Sequence, residues 1–75
     1  MTSTPSTNGT LAIGETAGLV WHTLAEQGPL SLAKLVEQTG RNRDLVMQAI
    51  GWLAREEKIL IADTKRGRIV SLNAT

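Results

Sequence analysis

At Lys58 the spacing of apolar residues changes period, and this switch narrows the folds open to the chain more than any other feature. Upstream, Ile13, Ala17, Val20 and Leu24 recur every three or four residues, as do Leu32, Leu35 and Val36, and then Leu45, Val46, Ala49, Ile50 and Leu53. That is the spacing of one face of an α-helix. Downstream, ILIA and RIVSL are short β-branched runs of period two, and TKRG lies between them with Gly67 at the usual left-handed loop position. They read as a β-hairpin with a basic tip. Helices followed by a hairpin indicate an α+β fold.

Local signals divide the helical part. Gly28 and Pro29 close a first helix expected over roughly residues 15 to 27, since glycine and proline mark helix ends. Leu30 and Ser31 are too short to be more than a strand stub. Ser31 is placed to cap a second helix through LAKLVEQ, and Gly40 suits the left-handed position that ends it. In the tight turn TGRN, Asn42 caps a third helix expected from about 42 to 57, and Asp44 favours its positive end. On the helical wheel Asp44, Gln48, Gly51 and Arg55 share the face opposite the apolar one. Helix, strand stub, helix, tight turn, helix and hairpin is the order of a winged helix-turn-helix, three helices with a small antiparallel β-sheet.

A chain of 75 residues holds one domain and no cysteine. A domain of that size buries only about 60% of its unfolded surface, and with no thiols it has neither disulfides nor thiolate metal sites to lean on. The first ten residues, MTSTPSTNGT, are rich in Ser and Thr and almost devoid of apolar side chains. Such a segment cannot offset its ordering entropy by burial, so residues 1–12 are expected to be a disordered tail and residues 13–73 the folded domain. The start lacks the basic and apolar regions of a signal peptide, and no run approaches the ~20 apolar residues of a membrane span. A soluble, cytoplasmic protein without membrane contact is expected.

Net charge is +1, yet residues 1 to 30 contain no Lys or Arg, while Lys34 to Arg68 hold all eight. Five form two groups, Arg41 with Arg43, and Lys65 with Arg66 and Arg68. Clustering of this kind creates a local positive potential on a nearly neutral protein, although solvated surface charge has the same appearance in a sequence.

The stretches IGETAGLVW (13–21), AIGWLAREEKI (49–59) and VSL (70–72) resemble a family of small stand-alone winged helix-turn-helix proteins of unknown function from prokaryotes. GWLARE at 51–56 is the most specific piece, since propensity does not favour Trp after Gly inside a helix. The resemblance covers about residues 13–72. It implies the winged-helix fold and self-association in some members, and it brings no established ligand.

In the winged-helix class the third helix lies in the DNA major groove and the hairpin tip reaches the backbone or the minor groove. The candidates for DNA contact are Arg41, Asn42 and Arg43 at the helix start, Gln48 one turn in, and Lys65, Arg66 and Arg68 on the wing. Arginine pairs phosphate oxygens or guanine edges, and Gln48 can pair adenine. Five phosphate contacts would give log affinity a slope of roughly −4 to −5 against log salt. A homodimer would set half-sites about 34 Å apart. The competing expectation is a protein-interaction or dimerisation module in which the third-helix face around Met47, Gly51 and Trp52, or the apolar edge of the wing, meets an identical chain or another protein. A mid-helix glycine costs about 1 kcal/mol relative to alanine, so close approach of another backbone, within the domain or from a second chain, should accompany Gly51. Trp52 packs on the first helix or hairpin in one reading and forms an interface in the other, while Trp21, following Val20, is expected in the core.

His22 is the only histidine and has no ligand partners at metal spacing. The Ser and Thr residues lie mostly in the tail or at caps, and adjacent Glu56 and Glu57 point about 100° apart. No glycine-rich phosphate loop is present. No enzyme activity, metal or cofactor is expected.

Overall fold

The computed structural model describes residues 5–73, with side chains from Leu11 onward. The order of elements is α1 (Pro5–Gln27), β1 (Leu30–Ser31), α2 (Leu32–Thr39), α3 (Arg43–Arg55), β2 (Ile59–Thr64) and β3 (Gly67–Leu72). The strands form one antiparallel sheet in the order β1-β3-β2. This is the three-helix, winged helix-turn-helix arrangement that the periodicity predicts.

Helix α1 begins at Pro5, ahead of the expected start near residue 15. Proline fits the first helical position because the N–H it lacks has no intrahelical partner there. The boundary expected at residue 12 therefore falls inside a helix, and the first four residues of the expected tail lie outside the described ones.

One face of each helix meets a single core. Ala17, Val20 and Leu24 of α1, Leu32 and Leu35 of α2, and Val46, Ala49, Ile50 and Leu53 of α3 are buried with Ile59 and Val70 of the sheet. The β-branched runs cover the helices from the hairpin side. Loss of several methylenes from a residue such as Leu35 leaves a cavity costing about 2–5 kcal/mol.

The helix-turn-helix junction is built by local chemistry. The Ser31 hydroxyl oxygen accepts from the Lys34 N–H at 3.1 Å, and Gly40, at φ 70°, ends α2 by donating its N–H to the Val36 carbonyl. The Arg41 N–H donates to the Thr39 hydroxyl at 3.4 Å, and the Leu45 N–H donates to the Asn42 side-chain oxygen at 2.8 Å. Both ends of the turn are thus pinned, which fixes the angle at which α3 leaves α2.

Helix α3 closes shortly before the expected residue 57. The Lys58 N–H reaches the Leu53 carbonyl and the Glu57 N–H the Ala54 carbonyl, each at 3.0 Å. This paired closure needs a left-handed residue, and here Glu57 supplies it at φ 60°. The Asn73 amide then donates to the Glu57 carbonyl at 2.9 Å, tying the residue after β3 to the α3 exit.

In the wing, Thr64 pairs with Gly67 and Asp63 with Arg68, so Lys65 and Arg66 form the tip. Gly67 carries the positive φ, 121°, while neither Lys65 nor Arg66 does. A two-residue turn of type I′ would have demanded positive φ at both tip residues, and one of type II′ at the first. Placing it on the glycine leaves the tip open to long basic side chains.

Candidate nucleic-acid interface

The two basic groups, separated by more than twenty residues in sequence, meet across one groove. Its volume is about 600 Å3 and it is walled by Ser31, Leu32 and Ala33 at the start of α2, Arg43 and Met47 of α3, and Asp63, Thr64, Arg66, Gly67 and Arg68 of the wing. Arg43 is the first residue of α3, so the fixed turn before it determines where its guanidinium points. Arg41 and Lys65 are exposed but do not line the groove; they stand beside it, in the helix-turn-helix turn and at the wing tip.

The wing tip is held by residues that charge counting passes over. The Thr64 hydroxyl donates to the Gly67 carbonyl at 2.8 Å and accepts from the Arg66 N–H at 3.2 Å. Asp63 accepts from the Arg68 Nε at 3.0 Å in an exposed pair. Once a two-residue turn is placed at Lys65 and Arg66, the pairing of 63 with 68 follows from register, so this ion pair has a signal in the sequence. Its effect is to offset much of the charge that Arg68 brings to the groove.

A second, shallower recess at the start of α3 is lined by Asn42, Arg43, Asp44, Leu45 and Gln48. Gln48 is exposed on the outer face of the helix, one turn from Arg43. Asn42 commits its side-chain oxygen to the Leu45 N–H, so its first duty is to cap α3. Asp44 lies in the first turn of α3, where a negative charge suits the helix end but repels phosphate.

The three residues expected to form an interface do not form one surface. Met47 and Trp52 are about 140° apart around α3 at five residues' separation. Met47 looks into the basic groove, whereas Trp52 lines a different groove against α1. Gly51 lies between them on the exposed side, and a Cβ added there meets no heavy atom within 4 Å. The close approach expected within the domain at Gly51 is therefore absent. Trp21, expected in the core, is 40% exposed, because α1 turns by about 100° per residue and the step beyond Val20 leaves the buried face for its rim. His22 sits edge-on to the Trp21 ring, with centroids 5.7 Å apart. Among the described residues no three His, Cys, Asp or Glu side chains gather as a metal site would require, and no helix is long and apolar enough to cross a membrane.

Residues 7–72 match the family described as winged helix-turn-helix domain (DUF2582). Among similar proteins, the uncharacterized protein MJ1608 of Methanocaldococcus jannaschii is 43% identical over 63 residues, which cover 80% of this chain and 89% of that one. The solution NMR structure of protein BT2368 from Bacteroides thetaiotaomicron superposes with a TM-score of 0.74 at 31% identity, over 81% of this chain and 74% of the other. The chain belongs to the DUF2582 family of winged helix-turn-helix domains.

Proposed function

We propose that this domain binds double-stranded DNA, with α3 toward the major groove and the wing along the adjacent backbone, in transcription regulation or general DNA binding. The observation that carries this reading is the convergence of Arg43 with Arg66 across one open groove, which Arg68, paired with Asp63, also lines, flanked by Arg41 and Lys65. Arginine forks pair phosphate oxygens in twos, and such contacts fix register on the duplex without reading sequence. Gln48 is the candidate for base reading, since its amide matches the adenine edge. The outward row Asp44, Gln48, Gly51 and Arg55 offers few other reading groups, so backbone affinity dominates over sequence preference. Relatives in an archaeon and a bacterium support a prokaryotic setting, and a cytoplasmic location is part of the same proposal.

The test is amide chemical-shift mapping of the 15N-labelled protein titrated with a short random-sequence duplex at low salt. The largest shifts are expected at residues 41–48 and 63–68, with the Trp21 and Trp52 indoles little moved. Shifts confined to the two indoles, or none at all, would refute the reading.

A further inference from the structure

We infer that the outer stripe of α1, together with Trp52, is the surface through which two copies of this chain pair, α1 against α1 and antiparallel. Beside its core face, α1 carries a second periodic row. Leu11, Gly14, Gly18, Trp21 and Ala25 follow at intervals of three, four, three and four residues, the spacing of a seam between helices. All five are exposed, with Leu11 at 58%. The middle members of the row, Gly14, Gly18 and Trp21, form one wall of a groove of about 280 Å3, closed on the α3 side by Trp52 and Leu53 and bordered by Lys58. Trp52 is 49% exposed.

Nothing within one protomer calls for glycine at 14 or 18. A Cβ at either meets no heavy atom within 4 Å, and neither has a positive φ. Their use is to let another backbone come close. A twofold axis through Gly18 makes the row its own complement by size, because Leu11 then faces the partner's Ala25 and Trp21 falls within one residue, about 1.5 Å along the axis, of the partner's Gly14. Charge agrees with this occupant. The charged residues of α1 are Glu15 and Glu26, with no Lys or Arg, whereas the charged residue lining the groove is Lys58. An acidic helix thus meets a basic rim.

The area is adequate for a reversible dimer. At roughly 250 Å2 per fully exposed tryptophan, the open parts of Trp21 and Trp52 offer about 220 Å2 per protomer. The row itself runs about 21 Å along the helix, and its other members bring the pair to the order of 1,000 Å2, the lower limit of specific interfaces. An area at that limit suits weak, reversible pairing, and association in the micromolar range is what the experiment below tests. The groove shares no lining residue with the basic groove, so pairing leaves the arginines uncovered and stands independently of DNA binding.

The experiment is sedimentation velocity of the full chain across the micromolar range, with Gly18→Leu and Trp21→Ala beside it. Wild type is expected to pass from monomer to dimer, and each variant to weaken pairing at least tenfold while keeping its helical circular dichroism. Leucine at 18 enters open space and favours helix, so loss of pairing cannot be ascribed to unfolding. As a second readout, Gly18→Cys, the only thiol in its chain, should crosslink to its own copy under mild oxidation, and Ala33→Cys in the basic groove should not. A wild type that stays monomeric throughout, a dimer that survives Gly18→Leu, or equal crosslinking at 33 would overturn the inference.

Discussion

Alanine in place of Gly51 is expected to make the domain more stable. Gly51 lies in the interior of α3, exposed and without a positive φ, and an added Cβ meets no heavy atom within 4 Å. The substitution therefore disturbs no packing and needs no backbone adjustment. What remains is the difference in helix propensity, about 0.8–1 kcal/mol in favour of alanine, much of it through the lower entropy of the unfolded chain. In a domain of this size 1 kcal/mol moves the melting temperature by about 4–8 °C. Thermal unfolding followed by far-ultraviolet circular dichroism, at a concentration low enough to keep the protein monomeric, reads that shift directly. An unchanged or lower melting temperature would refute the reasoning, since it would mean that something in the free domain occupies the space beside Gly51.

Three further outcomes are expected. Glu57→Gly relieves a left-handed backbone at φ 60°; against the greater freedom of glycine in the unfolded chain the net gain is about 0.5–1 kcal/mol, seen as a higher urea midpoint at unchanged slope. Asn42→Ala removes the cap bond to Leu45 and lowers stability by about 1 kcal/mol, while DNA affinity, corrected for the folded fraction, changes little. Asp44→Asn has opposite effects on the two readouts. It costs about 0.3–1 kcal/mol of helix-end stabilisation, and it raises DNA affinity by up to about fivefold, the equivalent of the ~1 kcal/mol repulsion of an exposed charge near phosphate.

Features governed by near neighbours could be read from the sequence. Ser31, Gly40 and Asn42 cap the helices they were expected to cap, because caps depend on side chains and backbone groups three or four residues away. The hairpin and the core face of each helix followed from period alone. The start of α1 was hidden because its first turns lack apolar spacing, leaving Pro5 as the one signal. Glu57 was hidden because a left-handed glutamate is a demand of the closure between α3 and β2 and not a preference of glutamate.

The site was only partly legible. Charge clustering marked two basic groups, but which of their members share a groove depends on how the hairpin docks on α2 and α3. That docking separates Arg43, Arg66 and Arg68, which line the groove, from Arg41 and Lys65, which flank it. Met47, Gly51 and Trp52 do not share one face for a geometric reason: adjacency in sequence around Gly51 does not survive the turn of the helix, which sends Met47 and Trp52 to different grooves. The row of Leu11, Gly14, Gly18, Trp21 and Ala25 had its signal in the spacing, masked by the stronger core period of the same helix.

The most direct test of DNA binding through the start of α3 and the wing is the salt dependence of affinity for a labelled random-sequence duplex, measured by fluorescence anisotropy. With Arg68 held by Asp63 at 3.0 Å, Arg41, Arg43, Lys65 and Arg66 carry the phosphate contacts, and four contacts give a slope of log affinity against log salt of about −3.6. Arg43→Glu with Arg66→Glu should remove two of them, flattening the slope to about −1.8 and abolishing most of the affinity, with the fold intact by circular dichroism. Absence of binding at low salt, or a slope unchanged in the double variant, would contradict DNA recognition by this surface.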